Sequence, residues 1–170
     1  MTPTIHPLDP ATDTARVYAF WPDAADYIVM ERGEAPGPTL NPVLTQEFFT
    51  DAPPGIDPAT SLRLGLFVAD RLLGVAELAF GYPGPQEAYL GLMVLGAPAR
   101  GTGSGRALLR RIEAEAIARH APALYLAVLD ANPRGRAFWE REGFTLHEAG
   151  RSVTIGAKTQ TAARMVKRLG

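Results

Sequence analysis

The sequence predicts an α+β domain built around a mixed sheet, and three observations carry that prediction. Residues 62–69, 72–80 and 87–95 are apolar runs of strand length joined by turn-length connections, so they should lie antiparallel in chain order. Next comes a loop with Gly101, Gly103 and Gly105 at alternate positions, which opens a helix of about four turns ending near Arg119. Beyond that helix, residues 123–129 read as a buried strand. A helical crossover places such a strand parallel to the one ending at Leu95, which makes the sheet mixed.

The remaining elements follow in order. Residues 4–8 form a short first strand ended by Asp9-Pro10. Thr12 or Asp13 caps a helix running to Phe20 and Trp21, Pro22 interrupts it, and a second helical piece spans 24–30. Gly33, Pro36, Gly37 and Pro38 mark 31–40 as a loop. Asn41-Pro42 combines a capping residue with proline at the first helical position, so 42–49 should be a short helix presenting Leu44 and Phe48 to the core. A proline-rich loop, 51–61, leads into the strands; Asp70-Arg71 is the first hairpin turn and 81–86 the second. His120-Ala121-Pro122 ends the long helix. Asn132-Pro133 starts another, to about Glu142, where Gly143 suits a left-handed terminus. Residues 144–147 and 162–169 are the last strands, joined by a polar hairpin region.

Composition narrows the setting. A chain of 170 residues, 46% hydrophobic, is expected to form one domain that buries roughly two thirds of its unfolded surface. Seventeen basic and eighteen acidic residues give no overall field, so neither nucleic acid nor an anionic membrane is an expected partner, and any anion site must be local. The absence of cysteine excludes disulfides, thiolate metal sites and cysteine catalysis. With no long apolar run and no leader-like start, a soluble, cytoplasmic protein is the expectation.

Residues 100–106 carry the chemistry. Glycines allow positive φ and close backbone approach, so successive amides can turn inward beside the positive end of a helix. An anion is expected there, a pyrophosphate first among them. A P-loop requires lysine then serine or threonine after the last glycine, and Arg106-Ala107 stands there instead. A dinucleotide fingerprint requires Gly-x-Gly-x-x-Gly directly after a strand. Here the glycines are evenly spaced and five residues separate Leu95 from Gly101, although Asp130 lies near the place of a ribose-binding acid.

Arg100-Gly101-Thr102-Gly103-Ser104-Gly105 resembles the Arg/Gln-x-x-Gly-x-Gly/Ala motif of the GNAT superfamily of N-acetyltransferases. A second signature of that family follows in order, from Leu126 through Asn132, Ala137, Phe138 and Trp139 to Gly143-Phe144, and the end of the chain around Arg164, Met165 and Lys167 is similar to its closing strand. The resemblance implies an α/β/α-layered fold: a mixed, mostly antiparallel central sheet with a splayed parallel pair and flanking helices. It implies acetyl-CoA as cosubstrate. The amides of Arg100, Gly101, Thr102, Gly103, Ser104, Gly105 and Arg106 would bind the pyrophosphate, with the Arg106 side chain or main chain closing the site. The main chain of Leu95 would pair with the pantetheine arm, the Met93 amide would face the thioester carbonyl, and Asn132 would bridge the arm to the second parallel strand. Two positions depart from the pattern. Trp139 stands where many members carry a tyrosine that protonates the leaving thiolate, and indole cannot serve as that acid. Ala97 stands where proline is expected, with Pro98 one place later.

An attacking amine must lose a proton, since an ordinary alkylammonium has a pKa near 10, so a carboxylate is sought. Glu87 shares strand parity with Met93, and Glu77 is the only charge inside its strand. His6, His120 and His147 are scattered without metal-ligand spacing, so no metal is expected. Arg110, Arg111, Glu113 and Glu115 read as a solvated helix face, and Trp21, Tyr27 and Phe49 as core residues that could also line a substrate pocket. The expected activity is transfer of an acetyl group from acetyl-CoA to a primary amine, by direct attack in a ternary complex. The acceptor is a small molecule or a peptide. The competing reading is an acyl-CoA-binding sensor without turnover, and the resemblance also suggests a homodimer.

Overall fold

The computed structural model describes residues 2–170. Its strands are β1 (Thr4–Pro7), β2 (Leu62–Val68), β3 (Arg71–Phe80), β4 (Ala88–Leu95), β5 (Ala123–Leu129), β6 (Thr145–Ile155) and β7 (Lys158–Arg168). They form one seven-stranded sheet in the order β1-β2-β3-β4-β5-β7-β6. Every pairing is antiparallel except β4 with β5, which follows from the helical crossover between them.

Helices α1 (Pro10–Phe20), α2 (Ala25–Arg32) and α3 (Leu40–Thr50) cover one face of the sheet, and α4 (Ser104–Ala118) and α5 (Pro133–Arg141) the other. On the first face Val17, Phe20 and Ile28 meet Val75 and Val94 of the sheet; on the second Leu108 and Ile112 meet Leu78, Leu90 and Leu126. Full burial of each such side chain contributes roughly 1.5–3 kcal/mol, so the two faces hold the three layers together.

Several local expectations are corrected. The first helix is capped by Asp9, whose carboxylate accepts from the Ala11 amide while Asp13 accepts from the amide of Asp9; Pro10 occupies the first turn, so Asp9-Pro10 starts a helix as well as ending a strand. Asn41 lies inside α3, and its side chain accepts from the Gly37 amide ahead of it. The tight turn is Ala69-Asp70, with Ala69 at φ 54°, because Val68 pairs with Arg71. Helix α4 begins at Ser104, within the glycine loop. The final hairpin is far longer than the apolar pattern suggested: β6 buries almost nothing, and pairing with β7 alone defines it.

Two irregularities position the site. In the β3–β4 ladder Glu77 pairs with Leu92 but Leu78 pairs with Leu90, so Gly91 is an extra, unpaired residue. The parallel β4–β5 ladder covers only Ala88 to Leu90 against Leu124 to Leu126; past it the strands diverge and leave a cleft.

Candidate active site

The cleft has one open strand edge. The Gly96 amide donates to the Leu73 carbonyl at 2.8 Å, so Gly96 faces β3; alternation turns the amides and carbonyls of Leu95 and Met93 toward the gap left by β5. Met93 and Leu95 therefore turn main-chain groups toward the cleft. One of those groups is taken: the Leu95 carbonyl accepts from Arg100 Nε at 3.1 Å.

The glycine loop stands at the mouth of the cleft. Gly101 and Gly103 have φ of 73° and 85°, a region that side-chain-bearing residues rarely adopt, and nothing lies within 4 Å of where a Cβ would be. The amides of Gly101, Thr102, Gly103, Gly105 and Arg106 find no acceptor among the described residues. Arg100 donates to Ala97 and Ser104 weakly to Thr102 Oγ1. Five free donors at the head of a four-turn helix suit an anion carrying several oxygens.

The side chains of this loop do other work. Arg100 forms a two-pronged ion pair with Asp26 of α2, at 2.5 and 2.8 Å, and its guanidinium holds the Asp26 carboxyl below the usual range. Arg106 is turned onto Glu142, which Arg110 also meets at 2.7 Å, so its side chain does not close the loop. Asn132 caps α5 by accepting from the Gly135 amide at 2.9 Å. Trp139 is 8% exposed and packs edge-on against Phe138 and Phe144.

Across the sheet, a cavity of about 190 Å³ lies beneath α2 and α3. Trp21, Tyr27 and Phe48 line it, while Phe49 packs at the edge of the core. Its floor is Glu77, whose carboxylate lies across Gly91, where any side chain would collide with it. Glu77 is 6% exposed and its Oε1 has no hydrogen-bond partner. Burial pushes its carboxyl up, against the pull of the Ser61 hydroxyl and the Arg63 guanidinium, and Asp51 adds to the rise. A second cavity of about 240 Å³ shares Asp51, Glu77 and Gly91 with the first.

Glu87 is elsewhere. It precedes β4, its carboxylate folds back over Gly84, and it lines neither cavity. The parity count from Glu87 to Met93 fails because the bulge at Gly91 inserts one residue. Sequence reasoning also missed Glu31, Glu47 and Asp51, which line the first cavity with Arg32. The four-residue spacing of Tyr27 with Glu31 was an available signal, since both share a face of α2, whereas Asp51 is the extended residue just past α3.

The family model described as the acetyltransferase (GNAT) family matches residues 21–144 of this chain, from the cavity-lining helices through the glycine loop to Phe144. The chain belongs to the GNAT family. As a GNAT chain it is an N-acetyltransferase, of a family that uses acetyl-CoA. Its fold is that of solved GNAT structures. An acetyltransferase from Thermus thermophilus shares 23% identity at a TM-score of 0.74, over 99% of this chain and 98% of that one. The PaiA N-acetyltransferase from Thermoplasma acidophilum, solved in complex with coenzyme A, shares 18% identity at a TM-score of 0.70 over 99% of both chains. A ribosomal-protein alanine N-acetyltransferase from Escherichia coli shares 19% at 0.69, over 99% of this chain and 95% of that one. No curated protein sequence is significantly similar to this GNAT chain.

Proposed function

We propose that this chain moves the acetyl group of acetyl-CoA onto a primary amine by direct attack within a ternary complex. The observation that carries the reading is the continuity of two unsatisfied surfaces. The five free amides of residues 101–106 suit a pyrophosphate, and the open edge of β4 suits the peptide-like arm that would extend from it toward Gly91.

At the far end of that edge, the Met93 amide would face the thioester carbonyl, whose oxygen gains charge as the amine nitrogen bonds to the carbon. A fixed donor in a dry cleft stabilises that charge by a few kcal/mol. Glu77, one position along the bulged ladder and raised by burial, would take the proton from the amine, directly or through one water. The carbon–sulfur bond then breaks and the thiolate leaves. Trp139 offers no acidic hydrogen, so solvent or the incoming proton must neutralise the sulfur.

A chromogenic thiol assay with acetyl-CoA and a panel of amines tests the reading. Thiol release that depends on both substrates is expected. Calorimetric uptake of acetyl-CoA without thiol release for every amine would instead mark an acyl-CoA-binding module, and no uptake at millimolar CoA would remove both readings.

A further inference from the structure

We propose that the acceptor is a compact aliphatic di- or polyamine, whose reacting amine sits at Glu77 while its second ammonium is held by Asp51 and Glu47. This rests on the acetyl-transfer reading of the same cleft and adds the class of acceptor. Glu31, Glu47, Asp51 and Glu77 line the first cavity, and among the described residues Arg32 is the only cation lining it. Arg32 is engaged by Glu31 at 3.5 Å and by Glu47. The nearby cations are spent on main chain: Arg63 donates to the carbonyls of Phe48, Asp51 and Pro58, and Lys158 to that of Met30. Neither Asp51 nor Glu77 forms a salt bridge among the described residues, although the Arg63 guanidinium still draws both carboxyls down and Arg32 also draws on Asp51.

A buried carboxylate oxygen lacking a donor is unfavourable unless a ligand supplies one, and Glu77 Oε1 is in that position. Burial lifts both Glu77 and Asp51; Asp51 lifts Glu77 further and Glu47 lifts Asp51, a mutual repulsion that a bound ammonium relieves. Both acids line both cavities, so the second cavity adjoins the place of the reacting amine. Ile28, Leu44 and Leu92 supply apolar wall for methylene groups, and the rings of Trp21, Tyr27 and Phe48 favour a cation nearby. The same charges oppose an acceptor that carries a carboxylate.

Calorimetry on the CoA-loaded protein with 1,4-diaminobutane, butylamine and 4-aminobutyrate tests this directly. The diamine should bind at least about tenfold more tightly than butylamine, and 4-aminobutyrate most weakly. Asp51→Asn, and independently Glu47→Gln, should pull the diamine toward the butylamine value while CoA affinity stays unchanged; because Glu47→Gln takes a partner from the buried Arg32, its melting profile is recorded to show that the variant is folded. A diamine that binds no better than butylamine, or a preference that survives both substitutions, overturns the proposal. The thiol assay separates the underlying reading: preferential diamine binding without thiol release keeps the binding site and removes acetyl transfer. Equal turnover of butylamine and the diamine keeps transfer and removes this acceptor class.

Discussion

Glu77 is placed by the absence of a neighbour, since its carboxylate occupies the space a side chain at Gly91 would fill. Burial raises its pKa above the ordinary 4.5, so between those values the folded chain holds a proton that the unfolded chain has released. The associated stability is complete below pH 4.5 and is lost as pH rises through the folded value. Glu77→Gln should therefore melt no lower than the native protein at pH 8, with any advantage vanishing below pH 4.5, while turnover falls about 100-fold and the acidic limb of the rate profile disappears. Unchanged turnover would remove Glu77 as base. Glu87→Gln, outside both cavities, should leave turnover as it was. At this scale the glycine loop was legible because backbone geometry is written directly in glycine spacing, and Glu77 because it is a lone charge in an apolar strand. The grouping of Glu31 with Glu47 and Asp51 was not, because α2 and the end of α3 meet only after folding.

Helices α4 and α5 are joined by a cluster that looked like solvent-facing charge. Glu142 is buried at the end of α5 and meets both Arg106 and Arg110; Glu113 is buried against Arg110 and Lys167; and Arg111 donates to the Ile5 carbonyl. Helical periodicity separates apolar from polar faces but cannot say which charges another element will cover. Burial alone would push the Glu142 carboxyl up, but the two arginines outweigh it and hold it down. Its stabilisation is present above the ordinary 4.5 and is lost as pH falls through the lower folded value. Glu142→Gln should lower stability at pH 7 by about 1–2 kcal/mol, the arginines being half exposed, and the difference should close in acid. Denaturant melts at pH 7 and pH 3 check both signs. The strand boundaries show the same limit: β3 and β4 are apolar enough to read, whereas β6 is specified by a ladder partner that no local pattern reveals.

For the molecule as a whole, strand order and crossover were readable because turn-length connections force antiparallel neighbours and a helix forces a parallel one. The divergence of β4 and β5 was expected only from resemblance, since nothing in either strand marks where a ladder stops. Loading that cleft should stabilise the whole fold. At a hundredfold excess over Kd, CoA should add about 2.7 kcal/mol, which for a chain of this size raises the melting temperature by roughly 5–10 °C. Amide exchange should slow at Met93, Leu95 and residues 101–106 and change little in β6. Protection confined to other segments would place the cofactor elsewhere.

Arg100 touches the end of β4 through the Leu95 carbonyl and the start of α2 through Asp26, and α2 carries Tyr27, Glu31 and Arg32 into the acceptor cavity. A single guanidinium thus ties the glycine loop and the end of β4 to the helix that walls the first cavity. Were the cofactor bound at the glycine loop, this link would carry its effect to the wall where the amine docks, and the expected order of entry is the thioester first. Arg100→Ala should then loosen that order, seen as a change in product-inhibition pattern and a weaker amine KM at saturating acetyl-CoA.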